Sequence, residues 1–307
     1  MAKWLLSKTQ RTRKTKLLEL LAKDHFAFIS TAIKTKVPFT SERNRSFRFS
    51  DVHSYNYNLL KDAYAIDGEL NASLIENPDG NDFIAMEYPT PATISTASDL
   101  LVKSKCGLVI SLIGDHPPWE SDFLSLSHKR KSVFTPEEFM EYAHEKGANT
   151  SSISAEYEDI YRIIKEESSS FIIERHEALK DPSEELFRIK CMCWVDKTPP
   201  TTNIIKVLDI LLSIWKLMHI SESPVIVHCL AGVGRTGTFI FYSMLKRALL
   251  NGTVLQDKES LMASFVELFL YLRSRRTWMV ENKDQLFFLY KIFIREVVHN
   301  TPSSTPN

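Results

Sequence analysis

One stretch of the chain combines a nucleophile, a guanidinium and a flexible backbone within seven residues. Cys229 and Arg235 bracket five residues that include Gly232 and Gly234. Because glycine tolerates tight backbone curvature, the N–H groups of residues 230–235 can turn inward and form a nest for an anion. A phosphate group suits such a nest, and the Arg235 fork can bind two of its oxygens. The spacing therefore predicts a phosphate-binding cup, residues 229–235, in which a bound phosphorus faces the sulfur of Cys229.

The helix that begins near Arg235 adds the positive end of its dipole to this cup. The same field favours Cys229 as a thiolate, which is the nucleophilic form of the side chain. Taken alone, Cys229 at the end of an apolar strand is also explained as an inert core thiol. No Gly-Lys-Ser/Thr follows the glycines, so the stretch is not the P-loop of nucleotide-binding proteins.

The complete string His228-Cys229-x5-Arg235-Thr236-Gly237 resembles the signature of the cysteine-dependent protein tyrosine phosphatases. The resemblance implies a phosphocysteine intermediate, formed when Cys229 attacks a phosphoryl group, and it implies no metal and no organic cofactor. The residues implied to hold the phosphoryl oxygens are Leu230, Ala231, Gly232, Val233, Gly234 and Arg235. The hydroxyl of Thr236 is implied to donate a hydrogen bond to the departing sulfur. His228 is implied to tune the thiolate through hydrogen bonding, with a packed core histidine as the open alternative.

A second segment supplies the acid that this chemistry needs, since the leaving oxygen must be protonated. Trp194-Val195-Asp196 comes shortly before Pro199-Pro200 and resembles the mobile Trp-Pro-Asp loop of the family. Asp196 is therefore the candidate proton donor, and as a carboxylate it could later take a proton from water. Val195 stands where the family has proline, so the rate of loop closure is expected to differ. By itself the segment would be an ordinary loop.

Two further segments resemble family loops but depart from them. Glu281 occupies the place of the glutamine that positions the hydrolytic water, while Gln285 keeps the second glutamine. A carboxylate there repels phosphate unless it is protonated or turned away, so hydrolysis of the intermediate could be slow or depend on Gln285. In residues 41–48, Ser46 occupies the place of the substrate-stacking tyrosine, and Phe47 could supply the ring if the loop shifts by one residue. Arg48 replaces an acidic residue, which makes acidic substrates plausible.

Composition narrows the classes of protein further. The 307 residues contain 38 Lys plus Arg and 38 Asp plus Glu, so nothing global indicates binding to nucleic acid or an anionic membrane. The four cysteines have no metal-ligand spacing, and Cys191-x-Cys193 is too close for an ordinary disulfide framework, which indicates a reducing compartment. No apolar run suits a signal peptide or a membrane span. We expect a soluble, cytoplasmic monomer, and delivery into a host cell by an unconventional export signal stays open.

The resemblance to the tyrosine phosphatases implies an α/β fold, a central twisted mixed β-sheet flanked by helices on both sides. We expect an N-terminal helical extension over residues 1–34, with one amphipathic helix in 11–34. A tyrosine phosphatase-like domain follows over 35–298, and residues 299–307 form a disordered tail.

Several local expectations accompany this fold. Residues 127–131 are interpreted as a basic loop and 273–276 as a solvated helix end. Cys191 and Cys193 are predicted to face the core together. His116 and His144, which lack paired partners, are predicted to lie at the surface.

The sequence thus predicts hydrolysis of phosphotyrosine on phosphorylated protein substrates. Two alternatives stay open. A dual-specificity or phosphoinositide phosphatase would use the same centre, and Ser46 would permit it. A phosphotyrosine-binding module with weak turnover is the other, and Val195 and Glu281 are the departures that would favour it.

Overall fold

The strand that ends at Cys229 lies at the centre of a seven-stranded mixed sheet in the computed structural model of the chain. The structure describes residues 7–35, 46–52, 54–55, 58, 60–78, 80–114, 121–149, 157–218, 223–250 and 258–300. The strands in chain order are β1 (Ala72–Ile75), β2 (Phe83–Glu87), β3 (Leu108–Ser111), β4 (His128–Phe134), β5 (Phe171–Ala178), β6 (Glu185–Cys191) and β7 (Val225–Cys229). Their order across the sheet is β1-β2-β7-β3-β6-β5-β4.

The four central strands run parallel, and the outer pairs are antiparallel. β7 pairs in parallel with β2 and β3, and β3 pairs in parallel with β6. The β1–β2, β6–β5 and β5–β4 pairs are antiparallel. Because the parallel strands end at one edge, the loops after β2, β6 and β7 meet there, which is where ligands bind in such sheets. The register places Glu87, the last residue of β2, opposite Cys229.

Helices cover both faces of this sheet. They are α1 (Lys8–Lys23), α2 (His25–Ala32), α3 (Leu60–Tyr64), α4 (Ile94–Lys103), α5 (Pro136–Glu145), α6 (Tyr157–Glu166), α7 (Thr202–Met218), α8 (Gly234–Leu250), α9 (Lys258–Arg275) and α10 (Lys283–Asn300). Two 3₁₀ turns span Phe123–Leu126 and Ser168–Ser170.

Alternating strand residues divide the apolar core into two clusters. Ile226 of β7 packs in the cluster that contains Leu100 of α4, whereas its neighbour Val227 packs in the cluster that contains Leu211 of α7 and Phe241 of α8. Successive side chains on a strand point to opposite faces, so each face has its own helices. The prediction of an α/β fold with a mixed sheet between helical layers is confirmed.

The N-terminal segment forms two helices where the sequence predicted one. Asp24 has an extended conformation and ends α1, and its side chain accepts a hydrogen bond from the Ala27 backbone in the next helix. The ring of Phe28 lies 6.4 Å from that of Phe265 in α9 and 6.2 Å from that of Tyr290 in α10. Both helices therefore join the main core.

The other local expectations had different outcomes: some were wrong, one was confirmed and some lie outside the described residues. The segment interpreted as a basic loop forms the start of β4, an edge strand that pairs with β5. α10 continues through Asn300, so residues 299–300 are helical and not part of a tail. Residues 301–307, 41–45 and His116 lie outside the described residues, and His144 is exposed as expected.

Candidate active site

The turn between β7 and α8 depends on glycine. Gly232 has a φ of +70°, a conformation that side chains with a Cβ rarely adopt. A Cβ on Gly232 would also lie 2.2 Å from the carbonyl oxygen of Met86 in β2. Gly237, in the first turn of α8, also has no room for a side chain, since a Cβ added there would lie 2.4 Å from the Val280 nitrogen. These glycines let the cup sit directly against β2 and the segment after α9.

The sulfur of Cys229 lies within the predicted cup. Cys229 is 3% exposed, and its Sγ accepts a hydrogen bond of 3.2 Å from the Gly232 nitrogen. The carbonyls of Ala231 and Gly232 are bound by a guanidinium at 3.1 and 2.9 Å. Because a trans peptide places its C=O and N–H on opposite sides, the N–H groups of residues 232 and 233 point away from that guanidinium, the first of them at the sulfur. This is the geometry of an anion nest.

The guanidinium beneath the cup belongs to Arg276, which is fully buried just after α9. It also donates to Asn71 Oδ1 at 2.8 Å and to Ser54 Oγ at 3.2 Å. Burial lowers the pKa of Arg276 to about 10, partly offset by the charges of Glu87 and Cys229, so Arg276 stays charged at neutral pH. Sequence reasoning missed this residue.

The expectation of a solvated helix end at residues 273–276 was wrong because this end docks under the cup. Arg273 is also buried, donates to the Val280 carbonyl at 2.7 Å and lies 5.1 Å from the Phe269 ring. A sequence signal existed, since Arg273 and Arg276 lie at helical spacing from the apolar Phe269. Arg273 also donates to the Thr35 carbonyl at 3.5 Å, and Arg276 binds the carbonyls of Ala231 and Gly232. These partners are distant in sequence, so the pairing could not be predicted from the pattern.

Glu87 links this buried cluster to the loop before it. Its carboxylate accepts from Asn71 Nδ2 at 2.8 Å and from the Arg48 nitrogen at 3.1 Å. Burial raises the pKa of Glu87 to about 7, against these hydrogen bonds and the charge of Arg276. A continuous set of contacts thus runs from residue 48 through Glu87, Asn71 and Arg276 to the cup.

The segment predicted to bind the substrate ring, Ser46 and Phe47, lies against the residues that follow β2. The Ser46 carbonyl accepts from Thr90 Oγ1 at 2.8 Å. Arg48 Nε and Nη2 donate to the carbonyls of Tyr88 and Pro89 at 3.4 and 3.3 Å. Ser46 and Phe47 are both half-buried. Since β2 pairs with β7, this segment borders the cup.

Arg235, in the first turn of α8, connects the cup to the loop that follows β6. Its Nη1 donates to the Trp194 carbonyl at 3.0 Å, and its Nη2 lies 2.9 Å from Asp196 Oδ1. Its Nε is buried and has no hydrogen-bond partner among the described residues. A buried donor of this kind is costly unless a ligand satisfies it, which suits an incoming oxyanion.

The loop that carries Asp196, residues 194–198, is folded around a buried indole. Trp194 is buried and its Nε1 donates to the Thr198 carbonyl at 2.9 Å. Thr198 Oγ1 in turn donates to the Val195 carbonyl at 2.8 Å. The Asp196 side chain is 58% exposed while bound to Arg235. This aspartate loop therefore presents a solvent-accessible carboxyl group over the cup.

The predicted glutamine loop, residues 281–285, contacts the aspartate loop directly. Gln285 is fully buried; its Oε1 accepts from the Glu281 nitrogen at 3.2 Å and its Nε2 donates to the Thr198 carbonyl at 3.4 Å. Asn282 Nδ2 donates to the Lys197 carbonyl at 2.9 Å. Gln285 thus bridges the two loops.

The Glu281 carboxylate lies beside the end of the cup. A Cβ on Gly234 would be 2.7 Å from Glu281 Oε2. Burial raises the pKa of Glu281, and the negative charge of Asp196 raises it further, while Lys197 and Arg235 oppose the shift. Two carboxyl groups therefore face the place where phosphate would bind.

His228 and Thr236, on either side of the cup in sequence, are both buried. The His228 ring lies 5.5 Å from that of Tyr88 and 5.7 Å from that of Phe123. Neither ring nitrogen of His228, nor Thr236 Oγ1, has a hydrogen-bond partner within the described ranges. Burial lowers the pKa of His228 to about 3, and the nearby Cys229 backbone offsets only part of that shift. The imidazole is thus a neutral, packed ring.

The described residues contain neither a candidate metal site nor a membrane-spanning helix. No group of three or more His, Cys, Asp or Glu side chains there could hold a metal ion. None of the described helices is long and apolar enough to cross a membrane.

A cup of this form, with a sulfur inside and a carboxyl group held over it, defines the class of cysteine-dependent phosphatases. The family model described as protein-tyrosine phosphatase matches residues 44–295. The chain therefore belongs to the protein-tyrosine phosphatase family, whose members hydrolyse phosphotyrosine through a phosphocysteine intermediate.

Individual relatives agree with this assignment. The chain is 25% identical to protein-tyrosine-phosphatase PTP1 of Arabidopsis thaliana, over 86% of this chain and 74% of the relative. It is 39% identical to tyrosine-protein phosphatase 2 of Schizosaccharomyces pombe, but over only 32% of this chain and 14% of that protein.

Solved structures share the fold. The Trypanosoma cruzi protein tyrosine phosphatase TcPTP1 superposes with a TM-score of 0.64 at 18% identity, covering 95% of this chain and 93% of that one. A structure of PTPN18 bound to HER2 phosphopeptides has a TM-score of 0.61 at 16% identity, covering 95% and 94% of the two chains.

Proposed function

We propose that this chain hydrolyses phosphotyrosine on proteins with Cys229 as nucleophile and Asp196 as proton donor. The observation that carries the proposal is the pair of contacts at Arg235 and Gly232. Gly232 donates its N–H to the Cys229 sulfur, while Arg235 holds Asp196 over the same cup. These contacts support one oxyanion-sized site shared by the nucleophile and the acid.

In the first step, the phosphoryl oxygens bind the N–H groups of residues 230–235 and the Arg235 guanidinium. The thiolate of Cys229 attacks phosphorus, an S–P bond forms, and the bond from phosphorus to the phenolic oxygen breaks. Asp196 gives its proton to that oxygen, so tyrosine leaves as a neutral phenol. Preorganised backbone donors stabilise the charge that builds up on the equatorial oxygens.

In the second step, water attacks the phosphocysteine. Asp196, now a carboxylate, takes a proton from the water, the S–P bond breaks, and its electron pair returns to sulfur as inorganic phosphate forms. Thr236 would donate its hydroxyl to the departing thiolate, since that hydroxyl is buried without another partner among the described residues. Gln285, which bridges the glutamine and aspartate loops, would position the water. His228 would support the cup by packing, and through hydrogen bonding only if its ring reorients.

The substrate class rests on the segment before the sheet. Phe47 would cover one side of a phosphotyrosine ring, with Ser46 leaving the cleft wider than a tyrosine there would. Ser46 in place of a tyrosine is also the observation that favours the second candidate, a dual-specificity or phosphoinositide phosphatase. Arg48 spends two of its donors on the carbonyls of Tyr88 and Pro89, so its charge stays at the rim and favours acidic flanking groups.

The proposed partners, oligomeric state and location of the protein follow from the same proposal. The partners would be phosphorylated proteins, and the chain would act as a monomer in signalling in the cytoplasm, or in a host cell after delivery. The described cysteines are all unpaired, which supports a reducing compartment.

The test is turnover of phosphotyrosine and phosphoserine peptides and of inositol phosphates. Wild type should hydrolyse the phosphotyrosine peptide, Cys229→Ser should not, and Asp196→Asn should reduce kcat by roughly 10²–10⁴-fold while retaining peptide binding. Cys106→Ser, which changes a buried thiol between α4 and β3, is the matched control and should keep its activity.

Each other outcome has a definite meaning. Preferred turnover of phosphoserine or inositol phosphates would replace phosphotyrosine with the second candidate. Peptide binding without detectable wild-type turnover would identify a binding module and refute the enzyme.

A further inference from the structure

Two cysteines outside the cup lie close to each other. Cys191 is the last residue of β6, and Cys193 follows two residues later, immediately before the aspartate loop. Their sulfurs are 4.0 Å apart. Cys191 is 1% exposed and Cys193 is exposed, so the expectation that both face the core was wrong for Cys193. The strand ends at Cys191, and the bend after it turns the second thiol outward.

The surroundings of this dithiol give its two sulfurs different roles. The two thiols make one S–H···S contact in which either sulfur could donate, and this contact holds the pKa of Cys193 below its ordinary value. Glu167 opposes the shift with its negative charge. The pKa of Cys191 is raised by the same hydrogen bond and by burial. Because Cys193 is exposed and Cys191 is buried, Cys193 is the sulfur that an oxidant in solution can reach, and Cys191 is the neighbour behind it.

We propose that Cys191 and Cys193 form a second thiol site, separate from Cys229, which hydroperoxides oxidise to an intrachain disulfide. With hydrogen peroxide, the Cys193 thiolate attacks one oxygen, an S–O bond forms, the O–O bond breaks, and the departing hydroxide takes a proton from solvent, giving a sulfenic acid and one water; an alkyl hydroperoxide would give an alcohol in place of this water. The Cys191 sulfur then attacks the Cys193 sulfur, releasing a second water after proton transfer. One peroxide is reduced for each disulfide formed.

A Cys-x-Cys bridge is too short for an ordinary structural disulfide, so this bond would be strained and easily reduced, and forming it requires a local movement. The sulfurs must close from 4.0 Å to about 2 Å, the length of a disulfide bond. The backbone on either side is fixed: the Met192 nitrogen donates to the Ser170 carbonyl at 2.8 Å, and the Trp194 carbonyl accepts from Arg235 at 3.0 Å. Closure therefore pulls on the first residue of the aspartate loop. Resting on the proposed function, we expect the disulfide to misplace Asp196 and slow turnover.

The first test needs no enzymatic activity. The full chain with Cys229→Ser keeps three thiols, and it is treated with hydrogen peroxide and then titrated with Ellman's reagent in denaturant. We expect the loss of two thiols per chain and the recovery of both with dithiothreitol. We also expect a single peptide in which residues 191 and 193 are joined by a disulfide. Adding Cys193→Ser should abolish the two-thiol loss, whereas adding Cys106→Ser should leave it intact. No thiol loss, irreversible oxidation of Cys193 alone, or a disulfide between chains would each overturn the proposal.

The second test uses the active protein. Wild type is oxidised in the presence of inorganic phosphate, which shields Cys229, and is then diluted into the turnover assay. We expect a reversible drop of roughly tenfold or more, since small displacements of catalytic groups are costly. Cys193→Ser should show no such drop. If the disulfide forms but turnover is unchanged, the thiol site stands and its link to Asp196 is refuted. An inactive wild type would refute the proposed function and leave the thiol titration unaffected.

Discussion

Arg276 Nε donates to the Gly232 carbonyl at 2.9 Å, from the side of the cup opposite its anion-binding face. This contact fixes the orientation of the peptide bond between Gly232 and Val233. The N–H group of that peptide bond, which belongs to Val233, points toward the phosphate site. Replacement by lysine keeps the charge but removes the planar fork that binds several carbonyl and amide oxygens at once. We expect Arg276→Lys to lower kcat/KM by roughly 100-fold and to weaken phosphate binding, as measured by steady-state kinetics and inhibition by inorganic phosphate.

Arg275→Lys is the matched control for that change. Arg275 is the neighbouring arginine, only partly buried, and it contacts the Leu74 carbonyl and Asn58 away from the cup. It should stay within about threefold of wild type, because such surface contacts contribute little. Equal losses in the two variants would show that Arg276 acts through general stability and not through the cup.

Gly232→Ala should destabilise the fold and abolish turnover. The new methyl group would lie 2.2 Å from the Met86 carbonyl oxygen and would occupy a left-handed conformation. Gly147→Ala shares the positive φ, +85°, but meets nothing within 4 Å, so it isolates the conformational term of about 1–2 kcal/mol. Urea unfolding of both variants should therefore show a clearly larger loss for Gly232→Ala. Similar losses in both would show that β2 moves away from the cup easily.

The pH profile should depend on Glu281. Its raised pKa keeps it neutral to higher pH than an ordinary glutamate, and above that pKa it places a negative charge beside Gly234. Since the substrate is an anion, KM should rise as Glu281 ionises. Glu281→Gln should remove that rise and increase kcat/KM in the alkaline range by roughly tenfold, or about 1.4 kcal/mol.

Asp284→Asn supplies the comparison for Glu281. Asp284 is an exposed carboxylate in the first turn of α10, so its removal changes the local charge without touching the cup. Its profile should match that of wild type. A fall in kcat/KM with Glu281→Gln would instead mean that the carboxylate contributes to catalysis.

His228 should make the fold sensitive to acid. Its pKa is about 3 in the folded chain and 6.5 when unperturbed, so its contribution to stability is complete above pH 6.5 and is lost as pH falls toward 3. Between pH 6.5 and about pH 5 the expected loss in the free energy of unfolding is about 2 kcal/mol. His228→Phe, which keeps a ring beside Tyr88 and Phe123, should show a correspondingly smaller loss in urea unfolding. His128, with a pKa lowered to about 4 by burial, affects both proteins alike.

Much of the site could be predicted because its chemistry is local in sequence. Cys229, Gly232 and Arg235 lie within one turn, and the hydrogen bond from Gly232 to sulfur follows from that spacing. Trp194 and Asp196 were identified because they resemble the family's Trp-Pro-Asp loop and because the reaction needs an acid. β7 was likewise predicted as a buried strand, since a strand buried on both faces is apolar at successive residues, but its central position in the sheet was not predicted.

What could not be predicted comes from contacts between distant segments. Arg276 has an ordinary helix-end sequence around it, and only the docking of α9 under the cup explains its burial. Asn71 binds both Glu87 and Arg276 through its side-chain amide, and Glu87 contacts the substrate segment. These residues come from separate parts of the chain, so their contacts could not be predicted. The outward turn at Cys193 depends on where β6 stops pairing, which the alternation of residues alone does not determine.

The packing of Phe28 has a practical consequence for shortened versions of the protein. Residues 44–295 match the family, yet α2 supplies a ring to the same apolar cluster as Phe265 and Tyr290. A version trimmed to the family match would leave those two rings facing water. Self-association or low yield of such a version would result from the missing helices. It would not describe the behaviour of the intact chain.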